Sequence, residues 1–133
     1  MKSSRVYEFD PVIYPTRIWV SVCPTAKSLQ DKFYFLDYDG EYIKRVDLND
    51  YNDSIATTFS VQDKKSGWRG CLVCIWQSRK ASVGIIAHEG GHCTDWLCDE
   101  LGLKGFSFKD GEARAYYLQW VADCIDKVKR GKV

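Results

Sequence analysis

An α+β domain is the architecture this sequence predicts: a small twisted antiparallel or mixed sheet followed by two packed helices. Three observations carry the expectation. Segments rich in β-branched and aromatic residues, broken by turn chemistry, fill the first half of the chain. Past residue 78 the apolar spacing changes to three and four, and one short loop separates the two helical stretches so defined. At 133 residues the chain is expected to form a single domain, residues 1–133, that buries roughly two-thirds of its extended surface.

Taken in order, Arg17 to Cys23 is the first expected strand, and Lys32 to Tyr38 the second. Asp39-Gly40 is a strong hairpin signal leading into a third, Glu41 to Val46. Leu48 to Ser54, rich in Asn and Asp, reads as a loop. Ile55 to Val61 reads as a strand, ended by the turn Asp63-Lys64-Lys65-Ser66-Gly67. Gly70 to Gln77 is nearly continuous in apolar residues and is expected to be the most buried strand, or the last before the helices. The first helix is expected from Ser78 or Lys80 to Asp99, with Ser78 a candidate N-cap and Gly102 the stop. Leu101 to Lys109 is a short loop. Asp110 is expected to cap a second helix from Gly111 to about Lys129, in which Ala113, Tyr117, Trp120, Val121, Cys124, Ile125 and Val128 repeat at helical spacing. Both helices are expected on one face of the sheet, and the tail beyond Lys127 is basic.

Composition narrows the function classes. Nineteen basic against 18 acidic residues give no electrostatic footprint for nucleic acid or an anionic membrane, so neither partner is expected. The first twenty residues hold no apolar run of signal-peptide type, and no segment is apolar enough to span a bilayer. A cytoplasmic protein is therefore expected, with its six cysteines as thiols rather than a disulfide framework.

The sharpest chemical signal is His88-Glu89-Gly90-Gly91-His92, an H-E-x-x-H motif that contains the only two histidines of the chain. A spacing of four brings His88 and His92 onto one helix face, where both imidazoles can reach one metal ion. Glu89 projects from the side of that face, the place of a general base acting on a metal-bound water. Histidines that merely cap or fill a core are the plainer explanation. Two mid-helix glycines, at about 1 kcal/mol each relative to Ala, argue against a helix built only for stability. They let a backbone or a substrate approach closely, as the floor of a site requires.

A catalytic zinc usually takes three protein ligands and keeps a fourth position for water. Glu112, in the first turn of the second helix, is the expected third ligand. A helix packed antiparallel to the first is expected to carry its start back beside the histidines, with Ala113 and Ala115 permitting close approach. A glutamate in a first helical turn also suits the helix dipole without any metal. Of the nearer rivals, Cys98 would point away if the helix runs on through Asp95, Asp95 could bind the metal or orient a histidine, and Asp99 reads as a surface carboxylate.

His88-Glu89-Gly90-Gly91-His92, followed by a helix opening with Glu112-Ala113, resembles the zincin metallopeptidases, in particular small bacterial and phage-encoded proteins of the gluzincin type. The resemblance covers residues 68 to 125. It implies Zn2+ held by His88, His92 and Glu112, with Glu89 as general base, and hydrolysis of a peptide or protein substrate. The chain departs from that pattern in having no further histidine to stabilise an oxyanion and a short gap between His92 and Glu112. Tyr116 is the candidate oxyanion donor, with Tyr117 and Arg114 behind it, although as bare sequence features all three are more often packing or surface residues. In the family the strand ahead of the motif helix often pairs with extended substrate. Gly70 to Gln77 holds that place, and its apolar character fits burial equally well. A binding or assembly module with a metal site but little or no protease activity is the alternative, and a zinc used only for folding a third. Cys71-Leu72-Val73-Cys74 lacks a partner pair; in a strand its thiols face opposite ways and read as small buried hydrophobes.

Overall fold

In the computed structural model, residues 5–44, 46–51, 53–104 and 107–133 are described. Strands β1 (Tyr7–Phe9), β2 (Arg17–Val22), β3 (Phe33–Phe35), β4 (Ala56–Asp63) and β5 (Arg69–Ile75) form one sheet in the order β1-β2-β5-β4-β3. Only β2 and β5 run parallel, so the sheet is mixed. Helices α1 (Ala26–Lys32), α2 (Val83–Leu101) and α3 (Glu112–Lys129) complete an α+β fold.

The apolar run expected to be most buried is β5, at the centre of the sheet, with every residue from Gly70 to Ile75 buried. Paired on both sides, it has no free edge to offer a substrate. Gly70 is required there, because a Cβ would lie 1.8 Å from the carbonyl oxygen of Arg17. Side-chain alternation divides the core in two. Ile18, Val20, Cys71, Val73 and Ile75 face α2 and α3; Trp19, Phe59, Val61, Leu72 and Cys74 face the other way, towards α1, Phe33 and Leu48. Cys71 and Cys74 therefore lie in different cores, as strand geometry demands. All six cysteines are free, and five are buried.

The long helices do pack on one face of the sheet, but the opposite face is also covered, by a helix that periodicity did not reveal. Residues 26–32 form α1 because Thr25 caps it, accepting from Ser28 N at 3.2 Å, and Leu29 anchors it in the core. Lys32 consequently ends a helix instead of opening a strand, and the expected strand to Tyr38 shrinks to Phe33–Phe35. The Asp39-Gly40 turn forms, with Gly40 at φ 79° and Asp37 Oδ1 accepting from Asp39 N and Glu41 N at 2.9 Å each. Its second arm gives one bridge, Leu36 to Tyr42, rather than a strand over 41–46. Residues 41–44 are all exposed and gain no burial on either face, and residue 45 of that expected strand lies outside those described.

Boundaries moved at the helix starts as well. Ser78–Lys80 is a separate 3-10 turn, and α2 is capped by Ser82, whose Oγ accepts from Ile85 N at 3.3 Å. Gly102 ends α2 in the left-handed conformation, φ 64°, as expected. Asp110 does not cap α3. Its carboxylate and amide are engaged by the hydroxyl of Ser107, and Gly111 stands at the cap position. On α3, Tyr117, Val121, Cys124, Ile125 and Val128 are buried as the periodicity requires, whereas Ala113 is exposed. Among the described residues, no helix is long and apolar enough to cross a membrane.

Candidate metal centre

Helix α2 carries the motif with its core stripe, Ile86, Cys93 and Leu97, turned to the sheet. Two contacts fix its roll over β4. Trp96 Nε1 donates to Ser60 Oγ at 2.8 Å, and Thr58 Oγ1 donates to Glu89 Oε1 at 2.9 Å. Glu89 is thereby 95% withdrawn from solvent, at 5% relative exposure, and one of its oxygens is committed to the sheet. The other, Oε2, lies 3.9 Å from His88 Nε2. Thr58 was not foreseen as part of the site. Its only signal in the sequence is a polar residue at an alternating position of a strand, which many exposed strand faces share.

His88 and His92 lie on the outward face. Their Nε2 atoms are 3.2 Å apart, with the ring centroids at 4.7 Å and the planes at 86°. The side chain of His88 is 65% exposed. The separation is chemically specific: at Zn–N lengths of about 2.0–2.1 Å, a tetrahedral edge spans about 3.3–3.4 Å. The pair thus fits two corners of one metal ion without rearrangement of the helix. In the absence of an ion the same distance permits either ring to donate to the other, the donor carrying its proton on Nε2 and the acceptor on Nδ1.

Glu112 does not join them. Among the described residues, no group of three His, Cys, Asp or Glu side chains is placed to hold a metal ion. Glu112 is exposed at the first position of α3. The reason lies in helix direction. Antiparallel packing after a short loop sets the start of α3 beside the end of α2, where Arg114 Nη2 meets Asp95 Oδ1 at 3.3 Å. It is Leu118 and Ala122 that reach the level of the motif, at Gly90. Glu112, six residues before Leu118, is displaced by about 9 Å along the axis. The histidines also point away from the side of α2 that α3 covers.

The glycines divide in role. A Cβ at Gly90 would lie 3.0 Å from Leu118 Cδ1 and 3.9 Å from the Leu118 oxygen and Ala122 nitrogen, so this glycine admits α3. The close approach expected at Ala113 and Ala115 occurs here instead; both alanines are exposed. At Gly91 nothing lies within 4 Å of such a Cβ. Asp95 pairs with Arg114 rather than a histidine, α2 runs on through it, and Cys98 is buried. Burial pushes the Cys98 thiol up against the lowering effect of Arg114. Asp99 is exposed. Tyr116 is 65% exposed on α3, and among the described residues no contact joins it to the histidines.

Comparison with known proteins finds no matching family model, no matching curated protein and no matching solved structure.

Proposed function

We propose that this protein is a zinc-dependent peptidase in which His88 and His92 hold the ion and Glu89 is the general base. The observation that carries the reading is the joint placement of three groups: two Nε2 atoms at 3.2 Å and a carboxylate oxygen 3.9 Å from one of them, fixed by Thr58. Bound zinc would lower the pKa of its water to near neutrality and polarise a substrate carbonyl. Glu89 is held from the sheet side by Oε1, so that with an ion bound its Oε2 would be the group to take up the water proton and pass it to the leaving amine. Thr58 keeps the carboxylate from rotating away. Among the described residues the donor set is one short of the usual three protein ligands, so two corners of the ion would be left to water, substrate or another chain. The open face suits a protein or peptide substrate better than a small molecule, since α2 presents the histidines at its surface rather than in a closed cavity.

Zinc-loaded protein and Glu89→Gln are to be incubated with denatured proteins and peptide libraries. Cleavage by the first and a loss of at least 100-fold in the second are expected; no cleavage by either overturns the peptidase reading. The exposure of His88 and the lack of a third ligand among the described residues favour a second reading, a metal-dependent binding or assembly module. Partner capture that needs the metal but survives Glu89→Gln distinguishes it.

A further inference from the structure

We infer that the histidine face of α2 is a self-association site at which two copies of the chain share one divalent cation, each supplying His88 and His92. The inference rests on the metal-binding part of the proposed function and assigns the missing ligands to a second copy.

Ligand number is the first argument. One chain presents two imidazole nitrogens at the spacing of a tetrahedral edge, and among its described residues no third ligand joins them. A twofold axis through the ion doubles two nitrogens to four and fills a tetrahedral zinc.

Gly91 is the second. It lies beside the histidines in the interior of α2, with open space where its Cβ would be. A helix-interior glycine costs about 1 kcal/mol, and among the described residues no neighbour packs against the place of its missing side chain. Absence of a side chain there lets another backbone come close enough for four imidazoles to converge.

Charge is the third, and it selects the partner. Arg79 and Lys80 are exposed just ahead of α2, and Asp99 and Glu100 are exposed at its end. Lys80 stands eight residues before His88 and Glu100 eight after His92. An antiparallel pair of α2 helices centred between the histidines brings the basic 3-10 turn ahead of each α2 towards the acidic end of the other. The pattern is its own complement, as an isologous interface requires, so a second copy is the occupant. In that dimer every corner of the ion is a protein nitrogen and none is left for water. The shared centre is the closed form of the site, and the monomer with its own ion is the open one.

The test is native mass spectrometry and sedimentation velocity on the full chain with half an equivalent of zinc per chain, with chelator, and with excess zinc. A doubled mass carrying one zinc is expected, returning to monomer with chelator and with excess zinc. His92→Ala is expected to remain monomeric. Gly91→Leu, at an open position, is expected to stay folded by circular dichroism and bind zinc, yet remain monomeric. Glu89→Gln is expected to dimerise normally. Monomers carrying one zinc each at every loading overturn the shared site and leave the peptidase reading standing. A dimer that survives chelator or His92→Ala also overturns it, and absence of zinc binding overturns both.

Discussion

Replacing Gly91 by Ala tests how open the histidine face of α2 is. Nothing lies within 4 Å of a Cβ built there, and the residue sits in the interior of a 19-residue helix with no positive φ to relieve. The substitution therefore adds helix propensity without a clash, about 0.8–1 kcal/mol. For a chain of this length that raises Tm by about 3–5 °C. The neighbouring Gly90→Ala shares the propensity gain, but its Cβ meets Leu118 Cδ1 at 3.0 Å, so Leu118 has to move and the gain is reduced or lost. Thermal and urea unfolding of both variants in chelator, followed by circular dichroism, gives the comparison. The expected order is Gly91→Ala above the parent, with Gly90→Ala below Gly91→Ala. A Gly91→Ala variant less stable than the parent refutes the reasoning, because it requires packing against a face that the fold leaves uncovered.

Thr58→Val keeps the shape of the side chain and removes the donor to the buried Glu89 carboxylate. It is expected to cost about 1.5–3 kcal/mol in urea unfolding, with Thr58→Ser recovering most of it. Gly70→Ala drives a methyl into the backbone of β2 and is expected to cost more than 3 kcal/mol or prevent folding, read as loss of soluble, cooperatively melting protein. Chelation is expected to leave the far-ultraviolet spectrum unchanged, because the histidines lie outside both apolar cores; collapse of the fold in chelator would instead indicate a structural metal. Alkaline pH is expected to destabilise the domain. Burial raises the thiols of Cys71, Cys74 and Cys124 above their ordinary 9.0, Cys124 to about 12. Above pH 9 the unfolded chain therefore loses protons that the folded one keeps, and stability falls as pH rises towards 12. A flat profile from pH 8 to 11 would contradict that burial. On the acid side, burial of Asp63 is outweighed by its bonds to Lys65 N, Ser66 and Lys32, which lower its pKa below the ordinary 3.8. Its contribution is present above that value and is lost as pH falls below it.

Local geometry was legible in the residues. The spacing of His88 and His92 specifies two imidazoles on one helix face whatever surrounds the helix, and the structure brings their nitrogens to 3.2 Å. Alternation in β5 likewise sent Cys71 and Cys74 to opposite cores. Short elements were not legible. A seven-residue α1 has too few turns to show a period, and β1 has only three residues. Over residues 41–44 the expected strand reduces to a single bridge, because β propensity without a buried face does not hold a strand against solvent.

The sequence by itself determined that one helix carries two imidazoles on one face and an adjacent carboxylate, since i and i+4 are neighbours by backbone geometry alone. Only the tertiary structure decided what meets them. Thr58 reaches Glu89 because β4 passes under that edge of α2, and Glu112 stays remote because antiparallel packing sends the start of α3 to the far end of α2. Ligand number depends on the direction and roll of whole elements, and those are set by how two apolar cores close around the sheet.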